Sequence, residues 1–179
     1  MVDVLMPYAD SDTARVTPVS PRLPTVAGRT VGIINNSWHC MDLVAQELTK
    51  ALYARYAVAE VVEVKISAAQ TVPPGELKHL AAACDAVVIG IGTCGSCSRW
   101  VLKDAMDLER LNVPTVSLFT KVFEPLAKAV RRHDGLPGLR LAILPHPLNP
   151  LPDEQIRAVA IGAVEEIVGS LTDTEAVAR

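Results

Sequence analysis

Aromatic side chains are scarce in this 179-residue chain: two Trp, two Phe and three Tyr make up 4% of it. The apolar half of the sequence therefore comes mainly from Ala, Val, Leu and Ile, the residues of strands covered on both faces and of the helices that cover them. Basic charge is not in excess either. Seventeen Lys and Arg stand against twenty Asp and Glu, for a net charge of −3, and no Lys/Arg stripe marks a face. That excludes the electrostatic footprint of nucleic acid or of an anionic membrane and leaves a small molecule or a protein as the partner. No apolar stretch approaches the ~20 residues that span a bilayer. Residues 1–12 carry Asp3, Asp10 and Asp12 without the basic start and apolar core of a secretory signal, so a cytoplasmic protein is expected. The glycines form no phosphate loop, since Gly90-Ile91-Gly92 lacks the third glycine of the dinucleotide spacing. Internal repeats and low-complexity tracts are absent. Four cysteines are too few for a disulfide scaffold.

The length suits a single domain. Residues 1–27 hold Pro7, Pro18, Pro21 and Pro24 and read as an extended N-terminal arm, suited to packing on a neighbour. A single α/β domain is expected over 28–172, with a flexible tail at 173–179. Val31-Gly32-Ile33-Ile34 is a first strand, ended by Asn35-Asn36-Ser37. Met41, Val44, Ala45, Leu48, Ala51 and Leu52 then recur at helical spacing. Ala57–Ile66 reads as the second strand, and Pro73-Pro74-Gly75 precedes a short helix through Leu77 and Leu80. The unbroken apolar run of Asp85–Gly92 suits the middle of a parallel sheet. A helix with Val101, Ala105, Leu108 and Leu111 on one face leads to a fourth strand at Val113–Leu118. Helix four covers Glu124–Arg132, the fifth strand Leu139–Leu144, and the last helix runs from Asp153 and Glu154 to Leu171. Strands and helices in this alternation predict a doubly wound three-layer sandwich on a five-stranded parallel sheet, flavodoxin-like in class.

In such sheets ligands gather outside the carboxyl ends of the strands, where strand order reverses. The exit loops are therefore the candidate site. They offer Asn35, Asn36, Ser37, Trp38 and His39 after strand one and Thr93, Cys94, Gly95, Ser96, Cys97 and Ser98 after strand three. Phe119, Thr120 and Lys121 follow strand four, and His146, held between two prolines, follows strand five. Cys94 and Cys97 form a C-x-x-C pair, a pattern used in a reducing compartment for redox chemistry or metal ligation. Cys94 lies between a buried strand and a helix, where unpaired N–H groups and the helix dipole favour its thiolate. Gly95 permits a tight turn, and Ser96 or Ser98 can cap the helix and contact an anion. Cys97 is placed to resolve an adduct on Cys94, and His146 to act as general acid or base. A second reading makes Cys94, Cys97 and His146 ligands of a transition metal, since thiolates and imidazole suit several of these ions. The remaining loop residues are candidates for contacts with a small-molecule substrate.

The run Ile89-Gly90-Ile91-Gly92-Thr93-Cys94-Gly95-Ser96-Cys97-Ser98-Arg99-Trp100, followed by Asn112-Val113-Pro114-Thr115-Val116 and Leu144-Pro145-His146-Pro147-Leu148, resembles the UGSC-motif family from about Thr30 to Val168. The cysteine loop is also distantly similar to segments of the glycine and proline reductase selenoproteins. Family members often carry selenocysteine at the first motif position, here Cys94, so the resemblance implies a reactive chalcogen there and names no substrate. Three functions are open. The first is a thiol-dependent oxidoreductase or lyase in which Cys94 attacks a small electrophile and Cys97 resolves the adduct. The second is a metal-dependent enzyme or metal-binding module, and the third a non-catalytic subunit of a larger complex. No cofactor other than the metal of the second reading is called for, and a homo-oligomer or a partner subunit is left open.

Overall fold

The apolar runs found in the sequence become the strands of one sheet in the computed structural model, which describes residues 16–173. In chain order the elements are β1 (Thr30–Asn35), α1 (His39–Tyr56), β2 (Glu60–Lys65), α2 (Pro74–Ala83), β3 (Ala86–Gly92), α3 (Gly95–Arg110), β4 (Thr115–Thr120), a short 3-10 turn (Lys121–Phe123), α4 (Glu124–His133), β5 (Arg140–Leu144) and α5 (Asp153–Leu171). The strands are all parallel, in the order β2-β1-β3-β4-β5. This is the doubly wound, flavodoxin-like arrangement, with the switch of winding direction between β1 and β3.

Every residue of β3 and β4 is buried, whereas β2, at one edge, mixes exposed and half-buried positions. The difference follows from cover, because a central parallel strand has a helix layer on each face. One layer is α1 with α5, packed on Val31, Ile33, Val88, Val116 and Leu118. The other comprises α2, α3 and α4, packed on Ile34, Val87, Ile89 and Phe119. Burial at about 25 cal/mol per Å² of apolar surface drives this assembly.

Of the boundaries that differ from the sequence reading, three do so for a clear local reason. β2 starts at Glu60 rather than Ala57 because Ala57 takes the left-handed conformation (φ 50°) that closes α1. β4 starts at Thr115 because Val113 is still tied back to Leu108 by its N–H and Pro114 has none to give. α3 begins earlier than its apolar face suggests, at Gly95, directly after the first cysteine.

Residues 1–15 of the expected arm and 174–179 of the expected tail lie outside the described residues. From residue 16 the chain crosses the amino ends of the strands of its own domain, opposite the exit loops. Thr17 donates to the Gly135 carbonyl, and Leu23 bridges to Thr172. Ser20 meets Glu109, whose carboxylate also accepts from the backbone and hydroxyl of Thr115 and forms an ion pair of 2.9 Å with Arg140. The Arg140 guanidinium in turn donates to the Ser20 carbonyl. Among the described residues no helix is long and apolar enough to cross a membrane.

Candidate active site

The loop leaving β1 is tied down before it can offer anything to a ligand. Asn35, fully buried, donates to Asp42 (2.8 Å) and Glu63 (2.7 Å) and accepts the Ser37 N–H (2.9 Å). Asn36 is spent on β3. Between Ile89 and Gly92 that strand slips register against β4, which takes local backbone groups out of the ladder. The Asn36 amide supplies the missing partners, accepting from the Ile91 N–H at 2.8 Å and donating to the Ile91 carbonyl at 3.0 Å. Both asparagines are expected from the sequence as substrate contacts, and both side chains are instead consumed by the fold. Ser37 is exposed with φ 58°, and its hydroxyl donates to the Ile66 carbonyl. His39 is turned away from the cysteines, its Nε2 lying 2.8 Å from Asp153 at the start of α5.

Trp38 does reach the cysteines. It is the N-cap of α1, and its indole Nε1–H donates to the sulfur of Cys97 at 3.4 Å. A hydrogen bond thus spans the crevice between the exits of β1 and β3.

Thr93 leads from β3 into the C-x-x-C, whose sulfurs are joined as a disulfide with Cα atoms 5.2 Å apart. Cys94 is the N-cap of α3, and its sulfur accepts the Cys97 N–H at 3.1 Å. A sulfur therefore fills the place usually taken by the oxygen of Ser, Thr or Asp, where the sequence suggests Ser96 or Ser98. Ser98 is buried and donates its hydroxyl to the Cys94 carbonyl at 2.7 Å, while Ser96 is exposed with Oγ 3.5 Å from the Cys94 sulfur. Gly95 is exposed, with nothing within 4 Å of where a Cβ would stand. The two sulfur-bearing residues are unequal in access: Cys94 is half-buried and Cys97 is 1% exposed. An incoming reagent meets Cys94.

At the exits of β4 and β5, Thr120 connects His146 to the cysteine strand. Its buried hydroxyl lies 3.0 Å from His146 Nδ1 and 3.4 Å from the Gly92 carbonyl. A carbonyl can only accept, so both contacts are made at once in one way: the hydroxyl donates to Gly92 and Nδ1–H donates to the hydroxyl. That tautomer leaves Nε2 as the acceptor. Phe123 packs edge-on against the imidazole, with centroids 5.9 Å apart. Phe119, expected at the substrate, is fully buried beneath Gly92, where a Cβ would stand 2.2 Å from its ring. It supports the loop from inside and has no access to a ligand. Lys121 is paired with Glu124 at 2.6 Å.

The other thiols are chemically quiet. Burial pushes Cys40 and Cys84 up to about 11, which keeps both protonated near neutrality. Among the described residues no three His, Cys, Asp or Glu side chains are grouped to hold a metal ion, so Cys94, Cys97 and His146 are not assembled as the ligand set of the metal reading. Sequence reasoning missed Asn149, whose side chain caps α1 through the Cys40 N–H at 3.0 Å. An Asn before a proline after a strand is a turn signal in sequence, and nothing local pairs it with a helix far upstream.

The sequence matches the UGSC family over residues 3–173, and the chain belongs to that family. No curated protein matches it by sequence. Among solved structures it is similar to a histidine-to-aspartate mutant of a flavo di-iron protein from Thermotoga maritima, with TM-score 0.51 and 15% identity over 80% of this chain and 36% of that one. It thus spans about a third of that protein's length. An FMN-dependent NADH-azoreductase from Bacillus anthracis (TM-score 0.47, 12% identity, 80% of this chain and 100% of that one) and a diflavin flavoprotein A3 from Nostoc sp. (TM-score 0.44, 15% identity, 80% and 96%) also match. These likenesses concern the fold. In this strand order FMN binds at the β1/β3 switch, and helix N-termini are where phosphates are cradled. The residues present do not fit that group: the Cys40 N–H is taken by Asn149, the Ser37 N–H by Asn35, and the Trp38 indole crosses the crevice to Cys97.

Proposed function

We propose that this UGSC-family protein is a thiol-dependent enzyme that reductively cleaves a bond in a small electrophilic substrate, with Cys94 as nucleophile and Cys97 as resolving thiol. One observation carries the reading: an accessible and a buried cysteine are linked at the N-terminus of α3, at the exit of the central strand. In the reduced enzyme the Cys94 thiolate attacks a fragment R of the substrate R–X, forming a Cys94–S–R bond while X leaves with the bonding pair and takes a proton. His146 Nε2, in its protonated form, is the proposed source. The Cys97 thiolate then attacks the Cys94 sulfur, the disulfide forms, and R leaves with the electron pair and a second proton. The balance is R–X plus two thiols giving R–H, H–X and one disulfide. R must be a fragment able to carry the departing electron pair. An external dithiol reopens the disulfide and closes the cycle.

The test uses dithiothreitol-reduced protein with 5,5′-dithiobis(2-nitrobenzoic acid) as the electrophilic probe, followed by intact mass. Wild type is expected to release two equivalents of thiolate from the pair and end as the disulfide. Cys97→Ser should stop as a mixed disulfide on Cys94, and Cys94→Ser should lose the fast phase. Full-speed reaction in Cys94→Ser overturns the reading.

A further inference from the structure

The disulfide is held from both sides of the crevice, and the two sulfurs have different donors. Cys94 accepts from the Cys97 N–H, a group of its own helix, and Cys97 accepts from the indole of Trp38, a group of the opposite loop. A donor aimed at a sulfur favours that sulfur as thiolate over the same sulfur in a disulfide, because a hydrogen bond to a charged acceptor is the stronger one. We infer that Trp38 is a positioning residue of the thiol chemistry, whose indole N–H stabilises Cys97 as the leaving thiolate when the more accessible Cys94 is attacked. This rests on the function proposed above and adds a group that supports the direction set by the greater access of Cys94.

An external thiolate attacks the half-buried Cys94 sulfur. A new S–S bond forms to Cys94, the Cys94–Cys97 bond breaks, and its electron pair goes to Cys97, where the indole N–H is already pointed. The reagent's second thiol then displaces Cys94 and departs as a cyclic disulfide, so two electrons pass from dithiol to protein. In the opposite direction the same hydrogen bond keeps the Cys97 thiolate formed and aimed at Cys94. The backbone that carries the indole is held in place by its neighbours. Asn36 locks the preceding residues to Ile91, and the Trp38 carbonyl accepts the Asp42 N–H at 3.0 Å as α1 begins. Phe at this position keeps the aromatic bulk and lacks the donor.

The experiment equilibrates the protein with dithiothreitol and reads the reduced fraction by thiol labelling. Trp38→Phe is expected to shift the equilibrium about tenfold toward the disulfide, as loss of one hydrogen bond to a charged group implies, equivalent to ~30 mV more negative for a two-electron couple. It should also slow the first exchange step by a similar factor. In wild-type protein the Trp38 indole N–H resonance, told from that of Trp100 by a Trp100→Phe variant, should move downfield on reduction. A folded Trp38→Phe protein with the wild-type equilibrium, or a Trp38 resonance indifferent to reduction, overturns the inference. The resonance decides the matter even if Trp38→Phe does not fold. If the cysteine pair fails to equilibrate with dithiothreitol at all, the proposed function falls first; if the pair cycles and Trp38 has no effect, this inference alone falls.

Discussion

Replacing Asn36 by Leu keeps the branching at Cγ but removes both polar atoms of a side chain that is only 2% exposed. The Ile91 carbonyl retains the Thr93 N–H at 3.1 Å, so its loss is partial. The Ile91 N–H donates to Asn36 at 2.8 Å and is left buried without that acceptor. An orphaned buried donor costs about 1–3 kcal/mol and the second, redundant bond about 0.5–1.5 kcal/mol, so Asn36→Leu should destabilise by ~2–4 kcal/mol. Asn36→Asp separates the two bonds. A carboxylate still accepts from Ile91 N–H but repels the carbonyl, whereas the protonated acid donates to it as the amide did. Burial raises the folded-state pKa of the introduced acid above its unfolded value near 3.9. Its contribution is therefore fully present below that unfolded value and is lost as pH rises through the folded pKa. Urea unfolding from pH 4 to 8 should show Asn36→Asp approaching wild type at the acid end and falling toward or below Asn36→Leu at the alkaline end. A pH-independent difference between Asn36→Asp and wild type, or an Asn36→Leu protein within about 0.5 kcal/mol of wild type by the ordinary scatter of neutral substitutions, would refute the clamp.

Three further outcomes are expected. Glu109→Ala leaves the Arg140 guanidinium buried with its charge unmatched and should cost ~3–5 kcal/mol in urea unfolding; adding Arg140→Met should recover much of it, and simple additivity of the two losses would contradict the pairing seen at 2.9 Å. Asp104, buried on α3 and accepting the Val72 N–H, is pushed up to about 7 by desolvation. Its folded pKa lies above its unfolded one, so wild type should lose about 2–3 kcal/mol relative to Asp104→Asn between pH 5 and pH 8, and parallel stability profiles for the two proteins would count against it. Thr120→Val removes the acceptor that fixes His146 and should slow by about tenfold the reduction of a dialkyl disulfide such as 2-hydroxyethyl disulfide, whose basic leaving thiolate needs a proton, a fraction of the usual general-acid contribution; an equal effect in a His146→Ala background would show that the hydroxyl does not act through the imidazole.

The parts of the fold legible in the sequence are those whose signal is local. The apolar runs of β1, β3 and β4 and the Ala/Val/Ile stripe of α5 report burial residue by residue, and the C-x-x-C at a strand-to-helix junction marks its own position. The parts that are not legible depend on partners far along the chain. Asn36 looks like a turn residue or a ligand contact until Ile91, 55 positions away, is seen beside it, and His39 looks like a loop histidine until Asp153, 114 positions away, meets it. Phe119 misleads because a strand-end aromatic can face a ligand or the core. The glycine opposite it at Gly92 decides the matter, and cross-strand pairing cannot be read from one strand alone.

The switch of winding direction opens a crevice in every sheet of this order, and what fills it determines the chemistry available there. A phosphate-binding version leaves the first helix's N–H groups free and keeps small residues in the loop. Here the Cys40 N–H is taken by Asn149, and a tryptophan stands as the N-cap of α1. On the other side of the crevice the N-terminus of α3 is capped by sulfur, and its dipole favours a thiolate at the place where an anion would otherwise sit. The same backbone physics that elsewhere holds a ligand's charge is thus applied to a side chain of the protein. The chemistry proposed for this switch accordingly rests on Cys94 and Cys97, and the indole that crosses the crevice is the group that contacts the buried sulfur of the pair.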